Sequence, residues 1–393
     1  MSSVRAAVPP AKVTQRAWPI AHAAVVAAFL IALASYYRPG YGFTELIRLP
    51  VDHHDEYELA SIRAVPHVED INGGYDGQFY ARLAVDPLLR DPAIDHTIDF
   101  PAYRARRILF SWTAYVMGLG RPAWVLEAFA LQNAIAWLVL AWLLLRWFPI
   151  GSARSFFLWS GCLLTHGMLS SVGNALLDAP SALLIAWAVI AAERERLALT
   201  SLVLGAAGLG RETNLIALTL FARVLQPSWR SILRLVGWGI VAIVPVALWT
   251  DYLRSIYRDQ AFATVGAIAA PLTGLAWKTS TIVRDLKSGG LAIGPIFDAC
   301  ALIAFVTQII AIAWIARSTW RDRAPWLLVA APFAVLGLCA HQVVWAGTPG
   351  AITRVTLPLA LAFNVVGRRA PWPVLVFGNL AIVPGVLSFM FRM

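Results

Sequence analysis

Asp76 lies in the segment Asn72-Gly73-Gly74-Tyr75-Asp76-Gly77-Gln78-Phe79-Tyr80. Two glycines ahead of a Tyr-Asp pair let the backbone turn sharply and approach a ligand. Downstream, Phe79, Tyr80, Leu83 and Ala84 recur at helical spacing, and Asp86-Pro87 ends the run. Two roles are open to an Asp at the start of such a helix. Its side chain can cap the first turn, the commoner use. It can also stand clear as a carboxylate that accepts a proton.

The other chemistry-bearing positions are mostly arginines. Tyr103-Arg104-Ala105-Arg106-Arg107 precedes an apolar run. Its planar forks suit a phosphate or carboxylate, or equally the head groups of anionic lipids. Arg211-Glu212 and Arg354 lie inside apolar sequence, where a charge is costly and marks a functional candidate. Arg211 and Glu212 either pair with each other as a structural unit or face a ligand. Arg354 has no acid near it in sequence, so its partner comes from elsewhere, a ligand phosphate included. His341, Gln342 and Trp345 are joined to Arg354 by a short Gly347-Thr348-Pro349-Gly350 turn. Asp178 and Asp298 are weaker candidates at the edge of and within apolar runs.

Asp52-His53-His54-Asp55-Glu56 has the residue types of a divalent-ion site. Adjacent side chains diverge, so a solvated acidic loop is the favoured reading and no metal site is expected. Cys162, Cys300 and Cys339 lie in apolar stretches without CxxC spacing, which favours buried small hydrophobes over a disulfide framework.

These residues must be positioned by a membrane scaffold. Of 393 residues, 59% are hydrophobic and 14% charged. An average soluble domain has about 45–50% apolar and about 25% charged residues. The composition excludes a disordered chain and an ordinary soluble one, and 17 Trp fit a polytopic membrane protein. The net charge of +10 comes from 29 Arg against three Lys, scattered in short clusters between apolar runs. That distribution sets membrane orientation and gives no nucleic-acid patch.

The expected architecture is all-α and polytopic, with about 11 transmembrane helices of the length that crosses about 30 Å of hydrocarbon. Residues 1–17 read as a cytoplasmic N-terminus and 18–36 as a retained first span, because Tyr36-Tyr37-Arg38 is a poor signal-cleavage site. Residues 37–122 form a long outer loop, 123–252 a transmembrane bundle, 253–290 a second outer loop and 291–393 a C-terminal bundle. Spans are expected near 155–172, 178–192, 198–224, 235–251, 291–316, 325–345, 351–367 and 371–391, with 198–224 broken into two short helices around its glycines. Arg clusters at 146/154, 194/196, 230/234, 317/321/323 and 368/369 then all fall on the inner side.

The first outer loop is the unusual part. Residues 37–121 hold 12 of the 22 carboxylates, and loops of this length are functional or disordered. The aromatic and apolar content argues against disorder. Residues 106–119 fit a helix lying at the membrane interface, too short to span. An outer carboxylate facing cations at span ends suits transfer of a group from a membrane-borne anionic donor. The carboxylate would take a proton from an attacking hydroxyl, and arginines would hold a departing phosphate.

With those residues in view, the chain resembles GT-C-type integral-membrane glycosyltransferases. Tyr75-Asp76-Gly77-Gln78-Phe79-Tyr80-Ala81-Arg82-Leu83-Ala84 is similar to the Trp-Asp-x-x-x-Tyr-x-x-Ile-Ala pattern of GPI mannosyltransferase relatives, with Tyr75 in place of Trp. Gly-Tyr-Asp-Gly-Gln-Phe-Tyr and the later Tyr103–Leu109 run resemble uncharacterised bacterial membrane proteins. Gly210–Thr213 resembles their mid-chain Thr-Arg-Glu-Thr element. Arg354-Val355-Thr356-Leu357-Pro358 resembles the late-span Arg-x-x-x-Pro of aminoarabinose- and protein-mannosyl-type transferases.

The resemblance implies a polyprenyl-phosphate-linked sugar donor, inversion at the anomeric carbon, a bacterial inner-membrane location and a periplasmic catalytic loop. It implies Asp76 as base, with Asp55-Glu56 the alternative position for the essential acid. It places Arg354, Arg211, Arg104, Arg107, Tyr75, Gln78, Tyr80, Glu212 and His341 around donor phosphate or substrate. Membrane lipids are expected partners. The sugar, the acceptor and any cofactor stay open. The runner-up reading is a transporter or flippase for an anionic lipid. It predicts paired broken helices in two related halves, whereas one break, at 205–214, is visible and the outer loop goes unexplained. A ligase or polymerase using lipid-linked donors would place its long outer loop late in the chain.

Overall fold

In a computed structural model, the apolar runs fold as helices. The structure describes residues 12–51, 58–258, 266–289, 292–319 and 322–392. Among them the one sheet is a two-stranded parallel ladder, Leu49–Pro50 with Glu69–Asp70. Four helices are long and apolar enough to cross a membrane: Ala17–Ala34, Pro122–Leu144, Trp229–Ile256 and Ile293–Ser318. The Trp372–Gly378 and Ile382–Phe391 helices form a fifth, bent by 41° at a short break. Trp229–Ile256 buries little of its apolar surface, as a lipid-facing helix does. These features make the chain an integral-membrane protein.

The other expected spans are broken helices. Residues 155–172 divide into Ala153–Leu163 and His166–Gly173. The Asp178–Glu193 helix has 16 residues. The 198–224 run divides into Leu197–Gly210 and a tight 3₁₀ run, Glu212–Val224, which pack against each other. Asn214 Nδ2 donates to the Ala207 carbonyl at 2.9 Å and secures that fold-back. Pro325–Leu338 is followed by the short Gln342–Trp345 helix, and Ile352–Val355 by Leu357–Val366. About 11 crossings would therefore need the broken helices paired into spans; four continuous long helices and one bent pair are present.

Two of the breaks meet. The His166 N–H donates to the Ala381 carbonyl at 2.9 Å. A Cβ on Gly385 would lie 2.4 Å from the Leu164 carbonyl oxygen. The N–H that the first break frees at His166 is thereby satisfied by the second, the condition for irregular backbone inside a membrane protein.

The described residues of the 37–122 segment pack around their own core, with Leu46, Ile47, Leu59, Ile62 and Leu83 fully buried. The expected helix after Asp76 is found at Gly77–Val85, and a helix is found at Leu109–Met117 within the run expected to be helical. Arg82 explains why the loop holds together. Its guanidinium donates to Glu58 at 2.6–3.1 Å and to Gln78 Oε1 at 2.8 Å, all in the interior. Within the 253–290 segment, Thr273–Gly289 is a helix. There Lys278 pairs with Asp298 at 2.7 Å and donates to the Gly347 carbonyl at 2.7 Å, which gives Asp298 a structural role.

Candidate active site

Asp76 takes the N-cap position of the Gly77–Val85 helix, but its carboxylate makes no capping hydrogen bond. Gly73 and Gly74 have φ of 88° and 81°, the left-handed region that other residues avoid. Gly77 is required for a different reason. A Cβ there would lie 2.4 Å from the Asn174 carbonyl oxygen and 2.9 Å from that of Ile47. Only a residue without a side chain lets the loop press this closely on the end of the His166–Gly173 helix, and that contact carries Asp76 to the membrane bundle.

There Asp76 lines a cavity of about 340 Å³ together with Tyr80, Arg104, Arg107, Asp178, Arg211 and Arg354. Arg104 donates from Nη2 to Asp76 Oδ1 at 3.0 Å and holds Asp99 through Nε at 2.7 Å and the same Nη2 at 2.9 Å. Arg354 Nη2 lies 3.8 Å from Asp76 Oδ2, and its Nη1 lies 3.8 Å from Asp178 Oδ2. Arg211 pairs with Asp178. Five guanidiniums, those of Arg104, Arg106, Arg107, Arg211 and Arg354, meet the carboxylates of Asp76, Asp99, Asp178 and Glu212. One positive charge is in excess among the described residues.

Arg107 ties the 37–122 segment to the broken helix at Gly210–Glu212. Its guanidinium donates to Glu212 at 2.8 and 2.9 Å, to the Tyr103 hydroxyl at 2.7 Å and to the Tyr80 hydroxyl at 3.1 Å. Burial works against its charge, but Glu212, Tyr80 and Tyr103 together hold its pKa well above the ordinary arginine value. For Arg104, burial is again opposed, chiefly by the hydrogen bond to Asp99 and by Tyr80 and Asp76, and the pKa rises. Both stay cationic at any accessible pH.

Exposure separates the two carboxylates at the cavity. The Asp76 side chain is 35% exposed and the Asp178 side chain 4%. Asp76 is therefore open to solvent, and Asp178 is an internal anchor for Arg211 and Arg354.

Several sequence expectations change here. Arg211 and Glu212 do not pair with each other. Arg211 turns to Asp178, and Glu212 to Arg106 and Arg107. Gln78 bonds to Arg82 inside the loop core and away from the cavity. His341 caps the Gln342–Trp345 helix, and the neighbouring Val343 and Val344 reach the cavity in its place. Tyr75 is exposed, with Arg354 5.6 Å above its ring. Asp178 and Tyr103 gain a place at the site. Asp178 was flagged by a charge at the edge of an apolar run, whereas no spacing pointed to Tyr103. Asp55 and Glu56, with His53 and His54, lie outside the described residues.

No family model matches the chain, and no curated protein matches it. Among solved structures, the chain is similar to the crystal structure of ArnT from Cupriavidus metallidurans in the apo state. The TM-score is 0.47 and the sequence identity 15%, over 92% of this chain and 62% of that one. The chain thus spans less than two thirds of that structure's length.

Proposed function

We propose that the protein is a GT-C-type membrane glycosyltransferase. It moves a sugar from a polyprenyl-phosphate donor to an acceptor hydroxyl at the outer face, with inversion. The observation that supports this most is the partly exposed Asp76 carboxylate at a cavity whose ion-pair network, five guanidiniums against four carboxylates, carries one excess positive charge. A phosphodiester-linked sugar carries one negative charge and matches that excess.

The acceptor oxygen attacks the anomeric carbon as its proton passes to Asp76. The bond from that carbon to the phosphate oxygen breaks, and the departing phosphate gains one negative charge. Asp76 loses its own charge in the same step. Arg104 and Arg354, which face Asp76 at 3.0 and 3.8 Å, are then free to follow the charge to the phosphate. Arg107 and Arg211, held by Glu212 and Asp178, supply fixed positive charge behind it. One direct displacement inverts the anomeric carbon.

The test uses radiolabelled polyprenyl-phosphate sugars in detergent micelles with wild type and Asp76→Asn. The proposal expects transfer or slow donor hydrolysis by wild type and a loss of about 10²–10⁴-fold in the variant. Asp55→Asn and Glu56→Gln are assayed alongside. Full turnover by Asp76→Asn with loss in either of these would move the base to the Asp55-Glu56 pair.

A further inference from the structure

A second, smaller polar cavity lies beside the first. Its charged members are Arg48 and Arg392, with Tyr36, Asn174 and Ser388 around them. Its volume of about 30 Å³ holds roughly two waters or one small anionic group, and no sugar ring.

The cavity is cationic and incompletely satisfied. Arg392 pairs with Glu45 at 2.8 Å, and Arg38 shares the same carboxylate at 2.8 Å. Arg48 has a long 3.5 Å contact to Asp70. Three guanidiniums thus face two carboxylates. The Arg48 Nε is buried and has no hydrogen-bond partner among the described residues.

Two relationships link this cavity to Asp76. The Tyr75 N–H donates to the Arg48 carbonyl at 3.2 Å, and Gly77 lies against the Asn174 backbone. The Tyr75-Asp76-Gly77 turn therefore stands between the two cavities. The second cavity also opens where two apolar helices end. Tyr36 follows the Ala17–Ala34 helix, Arg392 ends the Ile382–Phe391 helix, and Phe29 and Phe389 stack between those helices at 5.7 Å. Arg392 lies 4.6 Å over the Tyr36 ring. A cationic cup at the end of an apolar helix pair fits a charged head group whose chains run down the exposed face of the Ala17–Ala34 helix.

We propose that Arg48 and Arg392 form a second anion site, which seats the phosphate or carboxylate head group of a membrane lipid across the Asp76 turn from the donor cavity. The acceptor is then an anionic lipid. The acceptor role rests on the transferase reading, whereas the anion site does not.

The test measures binding of short-chain phosphatidic acid, short-chain phosphatidylcholine and inorganic phosphate to the full chain in detergent. Variants are Arg48→Gln, Arg392→Gln, Ser388→Asp and Arg354→Gln. Ser388→Asp leaves both arginines and their partners in place and adds a negative charge to the cavity. The proposal expects two phosphatidic acid sites in wild type, one weakened at least tenfold by Arg48→Gln, Arg392→Gln or Ser388→Asp, the other by Arg354→Gln. Phosphatidylcholine should occupy neither. Unchanged phosphatidic acid binding in all three cavity variants would overturn the site. Inorganic phosphate binding as tightly as phosphatidic acid would overturn the lipid assignment. Absence of donor turnover in wild type would remove the transferase reading and leave the two-site binding result standing.

Discussion

Arg354 lies 3.8 Å from Asp178, a carboxylate with only 4% of its side chain exposed. Asp178 also holds Arg211, so one buried acid fixes two of the cavity's cations. Removing a single partner from such a cluster leaves buried charge uncompensated. We predict that Asp178→Asn lowers stability by about 3–5 kcal/mol and raises donor KM at least tenfold. Thermal unfolding and donor-dependence kinetics check this. An unchanged donor KM would show that Asp76 alone positions Arg354.

Gly77 carries a steric prediction. In Gly77→Ala the new methyl meets backbone on two sides, and backbone gives way less easily than a flexible side chain. The loop must lift away from Asn174 and take Asp76 with it. A misplacement of about 1 Å costs roughly 10²-fold in rate. The variant should insert and fold, bind donor through its arginines and lose about two orders of magnitude in kcat. Wild-type kcat would disprove the dependence of Asp76 on that contact.

Glu212→Gln tests the tie between the outer loop and the broken helix. Arg106 and Arg107 both lose their carboxylate, though Arg107 keeps the Tyr80 and Tyr103 hydroxyls. The freed guanidiniums should grip a phosphate less selectively. We expect faster proteolysis within 77–117 and a change in donor KM larger than that in kcat. Limited proteolysis with and without a polyprenyl phosphate measures it, and identical cleavage in both proteins would refute the tie.

Arg82 predicts stability without chemistry. Its pairing with Glu58 is interior, with side-chain exposures of 5% and 7%. Glu58→Gln should destabilise the fold by about 3–5 kcal/mol, the range for breaking a buried pair. Donor KM of the folded fraction should match wild type. A shifted KM at unchanged stability would place Arg82 in substrate binding.

Much of the scaffold was legible because burial in lipid writes itself into composition. Residues 18–36, 123–145 and 291–316 read as spans and fold as long apolar helices. Arg211 and Arg354 were visible as charges in a context that makes charge expensive, Arg104 and Arg107 as an arginine cluster and Asp76 by its turn, and all five line one cavity. The Asp76 turn was visible through its glycines, whose backbone freedom is a local property.

Pairing was not legible. Arg211 and Glu212 are adjacent in sequence, yet side chains at successive positions point apart. Their partners, Asp178 in the Asp178–Glu193 helix and Arg107 in the link before the Leu109–Met117 helix, become neighbours only when the broken segments pack. The same holds for Gln78 and His341, whose local hydrogen bonds take them away from the cavity. Arg48 and Arg392 are separated by nearly the whole chain, and no periodicity relates them. Sequence alone determined that the chain is a helical membrane protein and which charges would be costly in it, because both follow from local transfer energies. The tertiary structure decided which charge neutralises which and where one stays in excess, because Coulomb interactions depend on distances that only packing sets.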